Sequence, residues 1–130
     1  MLMNKQKIKA KVKQILISTT SFAAFDRTAL NLVKDKGFAY IFNPYRRKLK
    51  ADEIIRLGKE AIGLIAGTEL LNDDVFSNLP NLKVVSRCGS GMDNIDLQAA
   101  QKRGIKIYNT PDVATRAVAE LTVGVILNLL

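Results

Sequence analysis

The 130-residue chain contains no histidine and a single cysteine, Cys88. One cysteine excludes an intrachain disulfide and fits a reducing compartment. Without histidine, the usual zinc constellations and cysteine–histidine catalysis are excluded too. Long apolar runs are also missing. Leu121 to Leu130, the most apolar stretch, is ten residues interrupted by Thr122, Gly124 and Asn128; a membrane-spanning helix needs about 20. Met1 to Lys13 is basic and lacks the apolar run of about 7–15 residues that a signal peptide requires. These absences predict a soluble, cytoplasmic protein with no membrane partner.

What remains is ordinary for one globular domain, with 48% hydrophobic and 25% charged residues. The formal net charge is +8, which raises the question of nucleic acid. Its distribution argues against that partner. Lys5, Lys7, Lys9, Lys11 and Lys13 load a tail over residues 1–13, and Arg46, Arg47, Lys48 and Lys50 form a second cluster. Neither is interleaved with aromatics or placed on a recognisable nucleic-acid module. A basic surface of this kind can still attract an anionic substrate or cofactor.

Short β-rich runs alternate with helical periodicity along the chain. Strands are expected at Gln14–Ser18, Phe38–Phe42, Ala61–Ala66, Leu82–Arg87 and Ile105–Tyr108. Helices are expected at Ser21–Lys36, with Phe25, Ala29, Leu32 and Val33 on one face, then at Ala51–Gly58, Asn72–Leu79 and Leu97–Arg103. Gly37 and Gly104 stand just past two of these helices, where a left-handed residue is wanted, and Asp96 is placed to cap the fourth. Such alternation predicts an α/β fold, a flavodoxin-like parallel sheet with helices on both faces.

The last expected helix, from near Thr115 to the chain end, does not fit that scheme. From Ala117 to Leu130 it carries one charge, Glu120, and is apolar nearly all round. A helix of that kind should be buried on every side, and a domain of this size cannot easily surround it. The helix therefore reads as belonging against something outside this domain, with packing into its own domain or a dimer interface as the alternative.

The chemistry concentrates between Leu82 and Glu120. Gly89-Ser90-Gly91 directly follows a parallel strand. Glycines there let the backbone approach a ligand and leave amides free for an anion, at the strand end where open α/β sheets bind ligands. Alone the tripeptide is weak evidence. Asn94 stands where GxGxxG needs its third glycine, and the Lys-Ser/Thr of a phosphate loop is missing.

The surrounding residues are more specific. Arg87-Cys88-Gly89-Ser90-Gly91-Met92-Asp93-Asn94-Ile95-Asp96, the Gln98–Gly104 helix, Asn109-Thr110-Pro111 and Val118-Ala119-Glu120 together resemble the D-2-hydroxyacid dehydrogenases of the phosphoglycerate dehydrogenase type. Gly63 to Glu69 is similar to the third strand and following loop of one branch of that family. The resemblance spans nearly the whole chain and implies an NAD-dependent oxidoreductase that interconverts a 2-hydroxy acid and a 2-keto acid.

By this resemblance, the amides around Gly89, Ser90 and Gly91 hold the substrate carboxylate, and Ser90 also contacts the NAD cofactor. Gly67 and Thr68 face the substrate from across the cleft. Some members carry an arginine where Gly67 stands, used on a phosphorylated substrate; its absence speaks against 3-phosphoglycerate unless Arg46, Arg47 or Arg87 takes its place. Asp93, Asn94 and Asn109 are expected to brace loops, and Cys88 to be a buried, unreactive thiol.

Hydride transfer to a 2-keto acid also needs a cation on the carbonyl and a proton donor. The family supplies these as an arginine and a glutamate-assisted histidine in a cofactor domain that follows the VAE helix. This chain has neither histidine nor GxGxxG, so the resemblance implies an amino-terminal part, inactive alone, of an enzyme that is a homodimer at full length. No metal is expected. The competing reading is a non-catalytic module that binds a small carboxylate or a protein.

Overall fold

The computed structural model describes residues 12–129; most of the expected 1–13 tail lies outside the described residues. The strands are β1 (Gln14–Ile17), β2 (Ala39–Phe42), β3 (Ala61–Ala66), β4 (Val84–Arg87) and β5 (Lys106–Tyr108). The helices are α1 (Thr28–Asp35), α2 (Ala51–Gly58), α3 (Asp73–Ser77), α4 (Leu97–Lys102) and α5 (Thr115–Asn128). Every strand pair is parallel, in the order β2-β1-β3-β4-β5, which is the flavodoxin-like arrangement.

The register explains the core. One row across the sheet runs Ile41, Leu16, Leu64, Val85 and Ile107, and all five belong to the main apolar cluster or pack on it. Onto that row α2 brings Ile54 and Leu57, α3 brings Val75 and Phe76, and α4 brings Ala99 and Ala100. Full burial of a side chain such as Ile54 or Leu64 contributes about 1.5–3 kcal/mol, so this face carries most of the stability.

The adjacent row, Phe42, Ile17, Ile65, Ser86 and Tyr108, points to the other face. Only Ile17 is fully buried, while Ser86 and Tyr108 are exposed. Right-handed crossovers put α1 on this second face, since β1 to β2 runs opposite to the later steps. Helices therefore lie on both faces, but unequally.

The expected helix over 21–36 is shorter than its periodicity suggested. Ala23 has a positive φ of 57°, and the Asp26 carboxylate accepts bonds from the Thr28 backbone N–H at 2.8 Å and the Thr28 hydroxyl at 2.7 Å. That local turn fixes the chain just ahead of the helix, which begins at Thr28. The expected face is wrong too. Leu30 is the buried residue, while Phe25 and Leu32 are exposed.

Elsewhere the punctuation works as read. After α1, Gly37 (φ 76°) donates to the Lys34 carbonyl and Phe38 to that of Val33. After α4, Gly104 (φ 68°) donates to Gln101 and Ile105 to Ala100. Both are complete Schellman endings. Asp96 caps α4 by accepting from Ala99 N–H at 2.9 Å. Among the described residues no helix is long and apolar enough to cross a membrane.

Candidate functional site

Parallel strands deliver their following loops to one edge of the sheet, and ligands settle there where strand order reverses. In this chain the reversal lies between β1 and β3. A cleft of about 200 Å³ opens there, lined by Ser18 to Ser21 after β1, Arg47 and Lys48 after β2, Gly67 to Glu69 after β3, and Cys88 after β4. Gly67 and Thr68 were expected to face a substrate, and both border this cleft.

Its walls are held by hydrogen bonds from side chains. Ser18 Oγ donates to the Ile65 carbonyl at 3.1 Å, and Thr19 and Ser21 share a hydroxyl–hydroxyl bond of 2.9 Å. Glu69, only 2% exposed, accepts the Gly67 N–H through Oε2 at 2.7 Å. Asn94 donates to the carbonyls of Gly67 (3.3 Å) and Glu69 (2.7 Å), which ties the loop after β3 to the segment after β4. A single parallel bridge between Leu71 and Ile95 extends the tie. Asn94 thus braces loops as expected; Asp93 is exposed and makes no such bond among the described residues.

The Gly89–Gly91 loop sits beside the cleft, joined to it through Cys88. Gly89 has φ 142°, and a Cβ there would collide with the Arg87 guanidinium, which itself donates to the Cys88 carbonyl. Only glycine fits both conditions. The Gly89 N–H is already used, donating to Thr110 Oγ1 and to the Arg87 carbonyl, both at 3.0 Å. Thr110 N–H returns a bond to the Gly89 carbonyl at 3.0 Å, and Asn109 donates to the Ser90 carbonyl at 2.8 Å. The amides of Ser90 and Gly91 keep no protein partner among the described residues, and both residues are exposed. Two amides of the loop, rather than three, are therefore left without a protein partner among the described residues.

The cations near the cleft are not equally free. Arg47 makes a bidentate pair with Glu53, at 2.8 and 2.6 Å. Glu53 also accepts the Lys50 N–H at 2.8 Å. The Arg47 guanidinium first, and the Lys50 amide second, pull the Glu53 carboxyl from 4.5 to about 2. Cys88 is half-buried, and burial pushes its thiol up; Arg87 pulls the other way and Glu69 adds to the rise. A raised thiol is a poor nucleophile at neutral pH. No group of three or more His, Cys, Asp or Glu stands together for a metal among the described residues.

The model of the D-isomer specific 2-hydroxyacid dehydrogenase catalytic domain matches residues 15–124. The chain belongs to this family. It is 33% identical over 121 residues to D-3-phosphoglycerate dehydrogenase of Sus scrofa, covering 92% of this chain and 21% of that protein. Against hydroxypyruvate reductase of Thermotoga maritima it is 32% identical over 103 residues, covering 78% of this chain and 33% of the relative. Among solved structures, the TT0316 protein from Thermus thermophilus superposes with a TM-score of 0.79 at 29% identity, over 88% of this chain and 35% of that one. The chain thus spans a third or less of these curated relatives' length. In this dehydrogenase domain, the cleft residues to which sequence reading gave no role are Thr19 and Glu69, while Arg47, one of three candidate cations, does line the cleft. The polar run Ser18 to Ser21, straight after an apolar strand, was the available signal for the first.

Proposed function

We propose that this chain is the substrate-gripping part of an NAD-dependent oxidoreductase that interconverts a 2-hydroxy acid and a 2-keto acid. The observation that carries the reading is the pair of unpartnered amides at Ser90 and Gly91 among the described residues, on a loop whose left-handed glycine and crossed bonds to Asn109 and Thr110 hold it in place. Two convergent amide donors suit a carboxylate without any side-chain charge. Thr68, exposed at the cleft mouth, faces the substrate with Gly67.

Ser90 fits one contact to a nicotinamide cofactor, because its hydroxyl has no partner among the described residues and is exposed. Nothing in the chain matches the glycine loop that would hold the phosphates of a dinucleotide. NAD, when bound, supplies the hydride acceptor for the 2-carbon. This chain's residues fix the carboxylate end, so that the 2-carbon is presented in one orientation. The proton donor and the carbonyl-polarising cation lie outside it.

In this reading residues 14–112 form the substrate domain and residues 113–130 open the cofactor domain. The complete enzyme works as a cytoplasmic homodimer, with no nucleic-acid or membrane partner. Two assays on the purified chain test the proposal. Calorimetry with glycolate is expected to show weak, saturable 1:1 binding, while NADH with pyruvate, glyoxylate or hydroxypyruvate gives no oxidation above background. Absence of binding contradicts the gripping role, and turnover contradicts the division of labour.

A further inference from the structure

The proposed function leaves the cation against the Gly89–Gly91 loop without a task. Arg87 ends β4 and is half-buried. Its Nη1 donates to the Cys88 carbonyl, while Nε is sealed from solvent with no partner among the described residues. No carboxylate pairs with it there either: the ion pairs join Arg47 to Glu53, Arg103 to Asp73 and Arg116 to Glu120. A partly desolvated cation without a counter-ion is costly. Such a charge also attracts an anion more strongly than one in open water.

The guanidinium lies directly against the loop. A Cβ on Gly89 would stand 2.7 Å from Cζ and 3.4 Å from Nη2, and closer still to Nη1; glycine leaves that space to the arginine. The Ser90 nitrogen is two bonds from the Gly89 Cα, which puts Cζ within about 7 Å of it. The loop is fixed beside this cation by Thr110, which binds the N–H and the carbonyl of Gly89, and by Asn109 on the Ser90 carbonyl. The charge is felt on the neighbouring side chain: burial raises the Cys88 thiol, and Arg87 pulls it back. The other cations at the cleft do not share this position. Arg47 is held by Glu53, and Lys48 is exposed, where water screens it.

We propose that Arg87 is a positioning residue for the carboxylate site: packed behind the loop, its guanidinium supplies the whole positive charge that the Ser90 and Gly91 amides lack. It acts through the loop, holding the Cys88 carbonyl on one side and biasing the free amides toward an anion on the other. The proposal rests on the carboxylate being gripped by those amides. Two neutral amides orient a ligand but bring only partial charges. A full charge behind them makes the site choose a carboxylate over a neutral group of the same shape.

The test is an amide-resolved NMR titration of the whole chain with glycolate and with glycolamide, its neutral isostere, in wild type, Arg87→Met and Arg87→Lys. Wild type is expected to bind glycolate about tenfold more tightly than glycolamide. In Arg87→Met that preference should fall to about twofold or less, with the loss on glycolate alone. Arg87→Lys should keep most of it, because lysine retains the charge and loses only the planar fork. An arginine that is purely structural would weaken both ligands together in Arg87→Met; that result overturns the proposal, as does an unchanged preference. Circular dichroism reports whether the methionine variant folds. If it does not, equal binding of both ligands by wild type, or loss of the preference in Arg87→Lys, overturns the proposal. No movement of the Ser90 and Gly91 amides by glycolate in the wild type overturns the carboxylate reading itself.

Discussion

Helices α2 and α5 are both rich in aliphatic residues, yet one is half inside the protein and the other buries no side chain. Helix α2 places Ile54 at 0% exposure, keeps Arg56 outward, and has its start closed by Glu53 on the Lys50 N–H. Helix α5 has no side-chain cap, no acidic first turn and no basic last turn. Its Val118, Leu121, Val125 and Leu127 are 59%, 69%, 51% and 65% exposed. Its polar groups turn back on the helix itself, Thr122 to the Val118 carbonyl and Asn128 to that of Gly124. The lesson is that apolar content alone does not bury a helix; a stripe matched to an available sheet face does. Exposed apolar surface of this kind is what a docking element shows, consistent with its proposed place in a second domain.

The comparison breaks first in the core. Ile54→Ala should cost about 2–5 kcal/mol, measured by urea denaturation. A loss under about 1 kcal/mol would mean that α2 is not anchored as described. Gly89→Ala comes next, at about 1–3 kcal/mol for the left-handed backbone together with the clash on Arg87. It should also disturb glycolate binding, since the same loop presents Ser90 and Gly91.

A smaller effect follows from the Arg47–Glu53 pair. The Glu53 carboxyl sits at about 2 in the folded protein against an ordinary 4.5. The depressed value means that its stabilisation is present above about pH 4.5 and is lost as pH falls towards 2. Glu53→Gln should therefore flatten the acid limb of the stability curve over that window and leave neutral pH comparatively unaffected in slope. An unchanged limb would mean that the pair does not persist in solution. The smallest effect is expected in α5. Leu121→Glu with Val125→Lys should shift stability by no more than about 0.5 kcal/mol and reduce self-association in sedimentation. A large destabilisation would show that α5 packs on its own domain after all.

The legibility of the fold in the sequence follows the same contrast. Ala61–Ala66 and Ala51–Gly58 were expected with the bounds they have, because each run is bounded by polar residues and its periodicity is met by a complete face of partners. Helix α1 was misread because an Asp26–Thr28 turn outweighs the spacing of Phe25 and Leu32. It also lies on the sheet face that is only partly covered, where apolar spacing is not enforced by burial. Gly67 and Thr68 were legible as cleft residues, whereas the meeting of Thr19 with Arg47 depends on β1 lying between β2 and β3, which chain order does not state. Capture of the Gly89 amide by Thr110 was hidden for a similar reason: the two are 21 residues apart and meet only when β4 and β5 pair.

The carboxylate of a 2-hydroxy acid is proposed to be held by the Ser90 and Gly91 amides. A titration of the isotopically labelled chain with glycolate, followed by amide NMR, tests it most directly. The account predicts saturable shifts that are largest at Ser90 and Gly91, smaller at Gly89, whose N–H stays on Thr110, and absent along α5. Shifts centred on α5, or none at Ser90 and Gly91 at saturating glycolate, would contradict it.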